Sequence, residues 1–350
     1  MNRVELIRKE LEKLGACALL LSDVAEVSWA TGFTGDDSHC LITENDAFFF
    51  TDFRYTEQAN KQVKEFEIIE TGYADRLLKM AKTAPDVLAI DFDRTSVSEE
   101  KRISQAFCGA KIVDASESID KLRRIKNKRE IDGMKKGAVV TENAFSHILK
   151  YIKPGVTEND IYAELVYFMN KAGADPSFTP IIASGENGSM PHATVTDRKV
   201  KNGDFVTMDF GVKMYGVCTD FTRTIAVGGI EKEKEIVYNT VKNAQNAALC
   251  SLKPGISGKE ADGVARDLIY NAGYKGRFGH GTGHGVGVEI HESPRLSLAS
   301  EDILLPGMIV TVEPGIYIPG KFGVRIEDMV RITEDGYENF YTAQKELIIV

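Results

Sequence analysis

Three histidines of the chain lie close together, at His280, His284 and His291 in the stretch GHGTGHGVGVEIHESP (279–294). An imidazole can bind a metal ion, move a proton or donate a hydrogen bond, so the cluster is open to several chemistries. Glycine at every second position from 279 to 287 makes a helix unfavourable here. On a flat strand His284 and His291 would point to opposite faces, because side chains alternate along a strand. We therefore expect a bend at the glycines if both histidines serve one site.

Two acidic residues, Asp209 and Asp220, lie in the strand-like sequence FVTMDFGVKMYGVCTDFTRTIAV (205–227). A turn centred on Met214 and Tyr215 would place their carboxylates directly opposite each other in a hairpin. Directly opposed β-carbons lie about 4.5–5.5 Å apart, and like charges at that separation destabilise a sheet. Aspartate is also disfavoured in strands, so this pair needs a reason other than local stability.

A second acidic pair, Glu313 and Glu327, stands symmetrically about Gly320 in IVTVEPGIYIPGKFGVRIEDMVRIT (309–333). These two side chains would also be opposed in a hairpin. Four converging carboxylates carry more negative charge than one arginine can balance. Two divalent metal ions can balance it, and closely spaced metal pairs are a known catalytic device. The acids therefore predict a dinuclear metal site.

The elements that carry these acids repeat within the chain. The segment KPGVTENDIYAELVYFMNKAG (153–173) matches KPGISGKEADGVARDLIYNAG (253–273), and GDFVTMDFG (203–211) matches GMIVTVEPG (307–315). The second match sets Asp209 and Glu313 at equivalent positions. Two copies indicate a duplicated domain of two α+β halves, whereas repeat arrays use shorter and more numerous units.

The first part of the chain alternates helical and strand-like patterns, which is typical of an α/β domain. The expected strands are 16–22, 38–43, 46–52, 66–70 and 87–91, and the expected helices are 4–14, 54–64, 74–82 and 98–107. A basic stretch, KLRRIKNKRE (121–130), opens a helical pattern that continues to about 151. We interpret it as a solvated helix start at the joint between two domains, 1–124 and 125–350.

Composition argues against several classes of protein. The chain has 350 residues and a net charge of −9, which disfavours a nucleic-acid partner. Its apolar runs are too short for a membrane span, and its first residues lack the apolar core of a secretory signal. Five cysteines stand singly without a CxxC motif, which predicts reduced, mostly buried thiols in the cytoplasm.

Five motifs, in their order along the chain, resemble those of the pita-bread metallopeptidases: MDFG, TDFTRT, GHGTGHGVGVEIHE, VEPG and VRIED. Within that family the resemblance is to the aminopeptidase P and prolidase branch, and it covers the whole chain. It implies a creatinase/prolidase-type α/β domain over 1–124. A pseudo-two-fold duplicated pita-bread catalytic domain would follow over 125–350.

The resemblance also implies roles for single residues. The two metal ions would be bound by Asp209, Asp220, His284, Glu313 and Glu327. Of the three clustered histidines, only His284 would then touch metal. His291 would support the tetrahedral intermediate, and His192, in SMPHATVTD, would lie near the scissile nitrogen. Glu313 would also carry a proton to the leaving group. His280 and Arg325 would line a pocket for the proline side of the substrate.

By the same resemblance the chain is a dinuclear metallopeptidase. It would hydrolyse the N-terminal Xaa-Pro bond of dipeptides or short peptides through a hydroxide that bridges the two metals. Oxygen-rich ligation favours manganese, with cobalt, iron or zinc as alternatives. The expected partners are proline-containing dipeptides or short peptides, without nucleic acid or membrane. The expected assembly is a homodimer in the cytoplasm.

Two alternative functions remain at this point. One is a pita-bread aminopeptidase without a strict proline preference. The other is a non-catalytic module that binds peptides or proteins, although relatives of that kind have typically lost ligands that this chain retains. The motifs do not separate prolidase from aminopeptidase P. The segments TGFTGDDSHC (31–40) and TDFRY (51–55) are candidates for a lip beside another subunit's active site, or are simple turns around strands.

Overall fold

Short apolar strands and amphipathic helices alternate in the first part of the chain, in a computed structural model that describes residues 2–350. The strands are β1 (Ala18–Leu21), β2 (Ser38–Thr43), β3 (Ala47–Thr51), β4 (Glu67–Glu70), β5 (Val87–Ile90) and β6 (Lys111–Asp114). The helices are α1 (Arg3–Leu14), α2 (Val24–Thr31), α3 (Thr56–Gln62), α4 (Arg76–Met80), α5 (Val97–Ala106) and α6 (Ser116–Arg124). The strands form one sheet in the order β4-β3-β2-β1-β5-β6.

Local sequence explains where the elements of this unit begin and end. Asn2 and Glu5 form a capping box at the start of α1, and Gly15 ends that helix in the left-handed conformation with φ 61°. The strand β1 reads ALLL and is buried throughout, as expected for a central strand. The strands and helices predicted for this part are confirmed. The elements α2, β6 and α6 were not predicted.

A second unit runs over Arg124–Val350, and the first ends at Arg123. Its helices are α7 (Lys128–Ile148), α8 (Glu158–Lys171), α9 (Lys232–Ser251) and α10 (Gly258–Ile269). The strands of its first half are β7 (Asp175–Pro176), β8 (Ile181–Ser184), β9 (Phe205–Phe210), β10 (Val212–Met214), β11 (Val217–Cys218) and β12 (Phe221–Ala226). Those of its second half are β13 (Gly283–Gly285), β14 (Glu292–Leu296), β15 (Ile309–Val312), β16 (Gly315–Ile318), β17 (Phe322–Arg325), β18 (Asp328–Ile332) and β19 (Tyr337–Asn339).

The sequence repeat reappears as a repeat of structure. The helices α8 and α10 follow the two KPG motifs, and each begins with a capping box: Thr157 with Asp160, and Ser257 with Glu260. The strands β9 and β15 occupy equivalent places in the order β12-β9-β8 and in the order β14-β13-β15-β18-β19. The predicted fold class is confirmed: an α/β unit is followed by a duplicated α+β unit.

The basic stretch 121–130 differs from its prediction. It is not one helix start, because α6 ends at Arg124 and α7 begins at Lys128, where Asn127 and Glu130 form a capping box. Nor is it fully solvated. Lys126 is buried, and its Nζ lies 3.0 Å from the Glu292 carboxylate. A buried ammonium needs such a partner because desolvation of an unpaired charge is costly.

Two further expectations from composition have different outcomes. Cys40 and Cys218 are buried, but Cys17, Cys108 and Cys250 are exposed, so the prediction of mostly buried thiols is wrong. Within residues 2–350, the structure contains no helix with the length and apolar character needed to cross a membrane.

Candidate metal centre

The first acidic pair lies on a hairpin whose register differs from the prediction. The turn falls at Tyr215 and Gly216, with φ of 56° and 80°, rather than at Met214 and Tyr215. The direct partner of Asp209 is therefore Thr222, not Asp220. Positive φ at both central residues matches the twist of a two-residue hairpin turn. The observed partner of Asp209 lies two residues after the predicted one. Because side chains alternate along a strand, Asp220 still faces the same side of the sheet as Asp209.

The second acidic pair has the predicted register. Val312 pairs with Asp328 on one side, Gly315 pairs with Arg325 on the other, and both pairings set 313 opposite 327. Gly320 closes the hairpin with φ 69°, a conformation that glycine adopts without strain. The prediction that Glu313 and Glu327 stand opposite each other is confirmed.

The two hairpins meet across the duplicated halves. An isolated bridge joins Thr222 to Glu327, and the Glu327 amide donates to the Thr222 carbonyl at 3.1 Å. Asp209, Thr222, Glu327 and Glu313 consequently stand at one level across four adjacent strand segments. The Thr222 hydroxyl also donates to Glu327 Oε2 at 2.6 Å, which fixes the carboxylate.

His284 brings an imidazole to this level from β13. Its Nε2 lies 3.3 Å from Glu313 Oε1 and 3.5 Å from Asp220 Oδ2. Asp220, His284 and Glu327 each offer one ligand atom, and these atoms lie within 4.8 Å of one another. All three residues are buried. The geometry is that of side chains that converge on a shared cation.

Asp220 and Glu327 have the raised pKa values of buried carboxylates that lie close to other carboxylates. Burial, with the charges of Asp209 and Glu313, raises the pKa of Asp220 well above its usual range. Burial, with the charges of Asp220 and Glu313, does the same to the pKa of Glu327. Asp209 Oδ1 and Glu327 Oε1 are buried without a hydrogen-bond partner. Orphaned buried acceptors call for a ligand, so these residues fit divalent cations held by oxygen and one imidazole.

Glu313 differs from the other acids of the cluster. Burial alone would raise its pKa, but the hydrogen bond and charge of His284, with the charges of His280 and Arg325, hold it at about 2. Thr311 donates to Glu313 Oε1 at 3.2 Å. This carboxylate is therefore ionised at neutral pH, which suits a ligand for a cation.

The bend expected among the glycines is present. A register shift follows His284 in β13, and the rings of His284 and His291 come to 4.4 Å between centroids. Burial, with the charges of His284 and Arg295, lowers the pKa of His291 to about 4. His291 is thus neutral at pH 7 and retains one N–H to donate.

Arg325 and His280 are joined by Tyr317, a residue that the sequence did not indicate. Tyr317 OH lies 2.8 Å from His280 Nε2 and 2.8 Å from Arg325 Nη1. Arg325 Nη2 donates to Asp209 Oδ2 at 2.6 Å. The one feature of the sequence that could have identified Tyr317 is its position eight residues before Arg325, across the turn at Gly320.

One cavity of about 320 Å³ collects every residue that the sequence proposed for the site. The predicted residues on its wall are His192, Asp209, Asp220, His280, His284, His291, Glu313, Arg325 and Glu327. The wall also includes Phe178, Ile181, Ile290 and Arg295, which sequence patterns missed. Apolar side chains beside a charged centre suit a substrate with a non-polar ring and polar ends.

The two candidate lip segments lie in the first unit and contact each other. Arg54 pairs with Asp52 and Asp37, and Tyr55 donates to Asp36. These contacts tie 31–40 to 51–55 inside the unit. Their role beside another subunit stays a prediction.

Comparison with known proteins adds independent information. Residues 132–334 match metallopeptidase family M24, and residues 3–125 match the creatinase/prolidase N-terminal domain. The Xaa-Pro dipeptidase of Pyrococcus furiosus is 33% identical over 353 residues, which cover 99% of each chain. The solved Xaa-Pro dipeptidase from Bacillus anthracis is 41% identical with a TM-score of 0.95, over 99% of each chain. The X-Pro aminopeptidase from Thermotoga maritima is 36% identical with a TM-score of 0.91, over 97% of this chain and 100% of the other.

Proposed function

This chain belongs to metallopeptidase family M24 and carries a creatinase/prolidase N-terminal domain, and we propose that it hydrolyses the Xaa-Pro bond of dipeptides. The observation that carries the proposal is the convergence of nine predicted side chains on one cavity. The named relatives that act on Xaa-Pro bonds give further support, because they match nearly the whole chain.

Divalent metal ions are the cofactor of the family, and manganese is our proposal for the metal. Asp209, Asp220, His284, Glu313 and Glu327 would hold two ions. When bound, such ions supply a water of lowered pKa and a Lewis acid for the scissile carbonyl. Manganese is supported by the donor set, because four carboxylates and one imidazole suit a harder cation than thiolate-rich zinc sites.

The protein's own side chains would manage protons and charge. Thr311 donates to Glu313 Oε1 and orients this carboxylate, which would accept a proton from water and deliver it to the leaving nitrogen. The neutral His291 would donate its N–H to the oxygen that becomes negative as the carbonyl is attacked. His192, exposed on the cavity wall, would face the scissile nitrogen.

The proline side of the substrate would lie against His280, Tyr317 and Arg325. Two hydrogen bonds through Tyr317 OH hold His280 and Arg325 in one arrangement. A rigid pocket of this kind positions the substrate at little entropic cost during the reaction.

Length preference is proposed from Arg295. This residue is exposed on the cavity wall and pairs with His284 across β13 and β14. A guanidinium binds a carboxylate through two parallel hydrogen bonds. We therefore assign it to the free carboxylate of a dipeptide, which a longer peptide does not present at that place.

The proposal extends to a homodimer in the cytoplasm. Support for a reducing compartment is that all five cysteines are free thiols. Sedimentation of the purified chain at micromolar concentration would give the oligomeric state directly.

The test is hydrolysis of Ala-Pro, Ala-Pro-Ala and Ala-Ala-Ala by manganese-loaded protein. We expect Ala-Pro to be cleaved best, and Arg295→Met to lower its kcat/KM by about 10- to 100-fold, since charge-assisted pairs contribute roughly 1.5–3 kcal/mol. The same substitution should change Ala-Pro-Ala by less than about threefold.

Other outcomes separate the alternatives. Equal cleavage of both proline peptides, unaffected by Arg295→Met, would indicate an aminopeptidase P. Cleavage of Ala-Ala-Ala at the same rate would indicate an aminopeptidase without proline preference. Absence of cleavage with two metals bound would favour a non-catalytic module.

A further inference from the structure

A buried carboxylate outside the metal centre has no cationic partner in contact with it among residues 2–350. Glu158, the first residue of α8, is fully buried at 0% exposure. It belongs to none of the five sequence motifs, and it lies far along the chain from every residue assigned to catalysis. Transfer of an ionised carboxylate into the interior is costly unless its oxygens are satisfied.

The Glu158 carboxylate accepts hydrogen bonds from three residues of one later segment, 184–196. Oε1 accepts from the amide and hydroxyl of Ser184, both at 2.7 Å. Oε2 accepts from the amide and hydroxyl of Thr196, at 3.1 and 2.6 Å. The side-chain amide of Asn187 donates to both oxygens at 3.1 Å. The carboxylate thus joins the two ends of this segment.

The surrounding backbone stabilises the negative charge of Glu158. Glu158 stands at the N-terminus of a 14-residue helix, where the helix dipole favours an anion. The Asn159 amide donates to the Thr196 carbonyl at 3.1 Å, which adds a main-chain bond to the same segment. Six donated hydrogen bonds and the helix end together account for a buried carboxylate without an ion pair.

The middle of the segment lies against the catalytic cavity. Gly188 packs on the backbone of Gly323 in β17, and a β-carbon at Gly323 would meet the Gly188 carbonyl at 1.9 Å. The Pro191 carbonyl accepts from Arg325 Nη1 at 3.2 Å. The next residue is His192, whose side chain is exposed on the cavity wall. The backbone of the segment fixes the α-carbon of His192 and so sets which part of the cavity wall this exposed ring can reach.

We propose that Glu158 is a positioning residue: it fixes segment 184–196 and thereby holds the His192 imidazole at the cavity. The inference rests on the proposed role of His192 in peptide hydrolysis. The second half of the unit uses a different residue for the matching task. There Gly258 aligns with Glu158, while Asp262 accepts from the Thr282 amide at 3.0 Å and holds the glycine-rich loop.

The test compares Glu158→Gln with Glu164→Gln, a matched change on the same helix at a half-buried site that bonds His147. We expect Glu158→Gln to lower kcat/KM for Ala-Pro by about 10- to 100-fold, since small displacements of reacting groups carry costs of that size. The number of metal ions bound per chain should not change. Amide hydrogen exchange in 184–196 should rise in Glu158→Gln and not in Glu164→Gln, with or without metal.

A double variant shows whether the effect passes through His192. If it does, Glu158→Gln should cost less than about threefold in a His192→Ala background, because coupled residues are not additive. An equal loss in both backgrounds would overturn the inference, as would a full loss in Glu158→Gln with wild-type activity in His192→Ala. If Glu158→Gln does not fold, Thr196→Val at an exposed residue removes one of the six bonds to the carboxylate, together with the bonds that the hydroxyl accepts from Asn187 and the Arg198 amide. It should give a smaller loss with the same dependence on His192.

The exchange measurement separates this inference from the proposed function. Unchanged exchange in 184–196 would overturn the anchoring role whatever the enzyme does. Faster exchange in a protein that cleaves no proline peptide would leave the anchoring intact, and would instead reject the assigned activity and the role of His192 in it.

Discussion

Asp220, on the first acidic hairpin, lies beside the imidazole of His284, with 3.5 Å between Oδ2 and Nε2. It shares a cluster with His284 and Glu327, and burial raises its pKa together with the charges of Asp209 and Glu313. Replacement of its carboxylate by an amide removes one negative charge and one oxygen ligand. We expect Asp220→Asn to hold fewer than two metal ions per chain after dialysis.

Elemental analysis of the dialysed protein gives the number of bound ions. Asp175→Asn, the same change at an exposed strand residue, is the control and should keep the wild-type content. An unchanged stoichiometry in Asp220→Asn would reject the assignment of this carboxylate as a metal ligand.

Sequence reasoning at the residue scale succeeded where charge and spacing carried the signal. Acids inside strands are unfavourable on their own, which made Asp209 and Glu313 conspicuous. Tyr317 and Thr222 carry no charge and are common in strands, so the sequence does not mark them as site residues. Their contacts with Arg325 and Glu327 could be predicted only from the strand register. The predicted register of the first hairpin is wrong because the predicted turn is centred one residue before the observed turn at Tyr215 and Gly216.

At the scale of single elements, α2 shows why some helices escape prediction. Buried residues occupy most of VAEVSWAT, so the apolar spacing that marks a half-exposed helix is missing. The capping residues, Asp23 before the helix and Gly32 after it, are present, but they enclose a helix of only 8 residues. By contrast, α1 has one apolar face and was found within one residue of its observed start.

The same helix buries an acid whose protonation should control stability. Burial raises the pKa of Glu26 to about 9, aided by a hydrogen bond to Asp91 and by the charges of Asp91 and Asp23. In the unfolded chain this carboxyl titrates near 4.5. Between these values the folded state holds a proton that the unfolded state releases. This contribution to stability is therefore complete below pH 4.5 and is lost as pH rises towards 9.

We expect the free energy of unfolding of the first unit to fall with pH between 6 and 8.5, by at most about 1.4 kcal/mol per pH unit from this group. Glu26→Gln mimics the protonated acid and should remove that slope. The chain has one tryptophan, Trp29, which lies in α2, so its fluorescence reports urea unfolding of this unit. Glu12→Gln, at an exposed site on α1, should keep the wild-type slope; a Glu26→Gln slope equal to wild type would reject the argument.

At the scale of the whole second unit, a buried ion pair outside the metal centre joins its halves. Arg223 on β12 donates to Asp328 Oδ1 on β18 at 2.8 Å and to the Glu327 carbonyl at 2.5 Å. It also donates to the carbonyls of Ala343 and Gln344 in the last part of the chain. Lys345 Nζ also lies 2.6 Å from Asp328 Oδ2. Asp328 therefore keeps a cationic partner when Arg223 is removed, whereas removal of Asp328 leaves the buried Arg223 charge uncompensated.

We expect Asp328→Asn to lower the free energy of unfolding of this unit by about 3–5 kcal/mol, and Arg223→Met to lower it by less, because Lys345 still pairs with Asp328. The double variant should lose less than the sum, since no buried Arg223 charge is then left behind when Asp328 is neutralised. Guanidinium denaturation followed by circular dichroism measures these values. Lys242→Met, which breaks a partly exposed pair with Glu346, should cost less than about 1 kcal/mol. Additive losses in the double variant would show that the two residues do not act as a pair.

The division of the metal ligands between two halves also sets an order of events during protein synthesis. Asp209 and Asp220 emerge from the ribosome well before His284, Glu313 and Glu327. Chains grow at about 5–20 residues per second, so the first two carboxylates wait several seconds for the strands that complete their cluster. A metal ion consequently meets a full set of ligands only after the second half has been made and has paired with the first. Metal capture by the full site thus follows the synthesis of both halves, and its binding free energy stabilises the assembled unit.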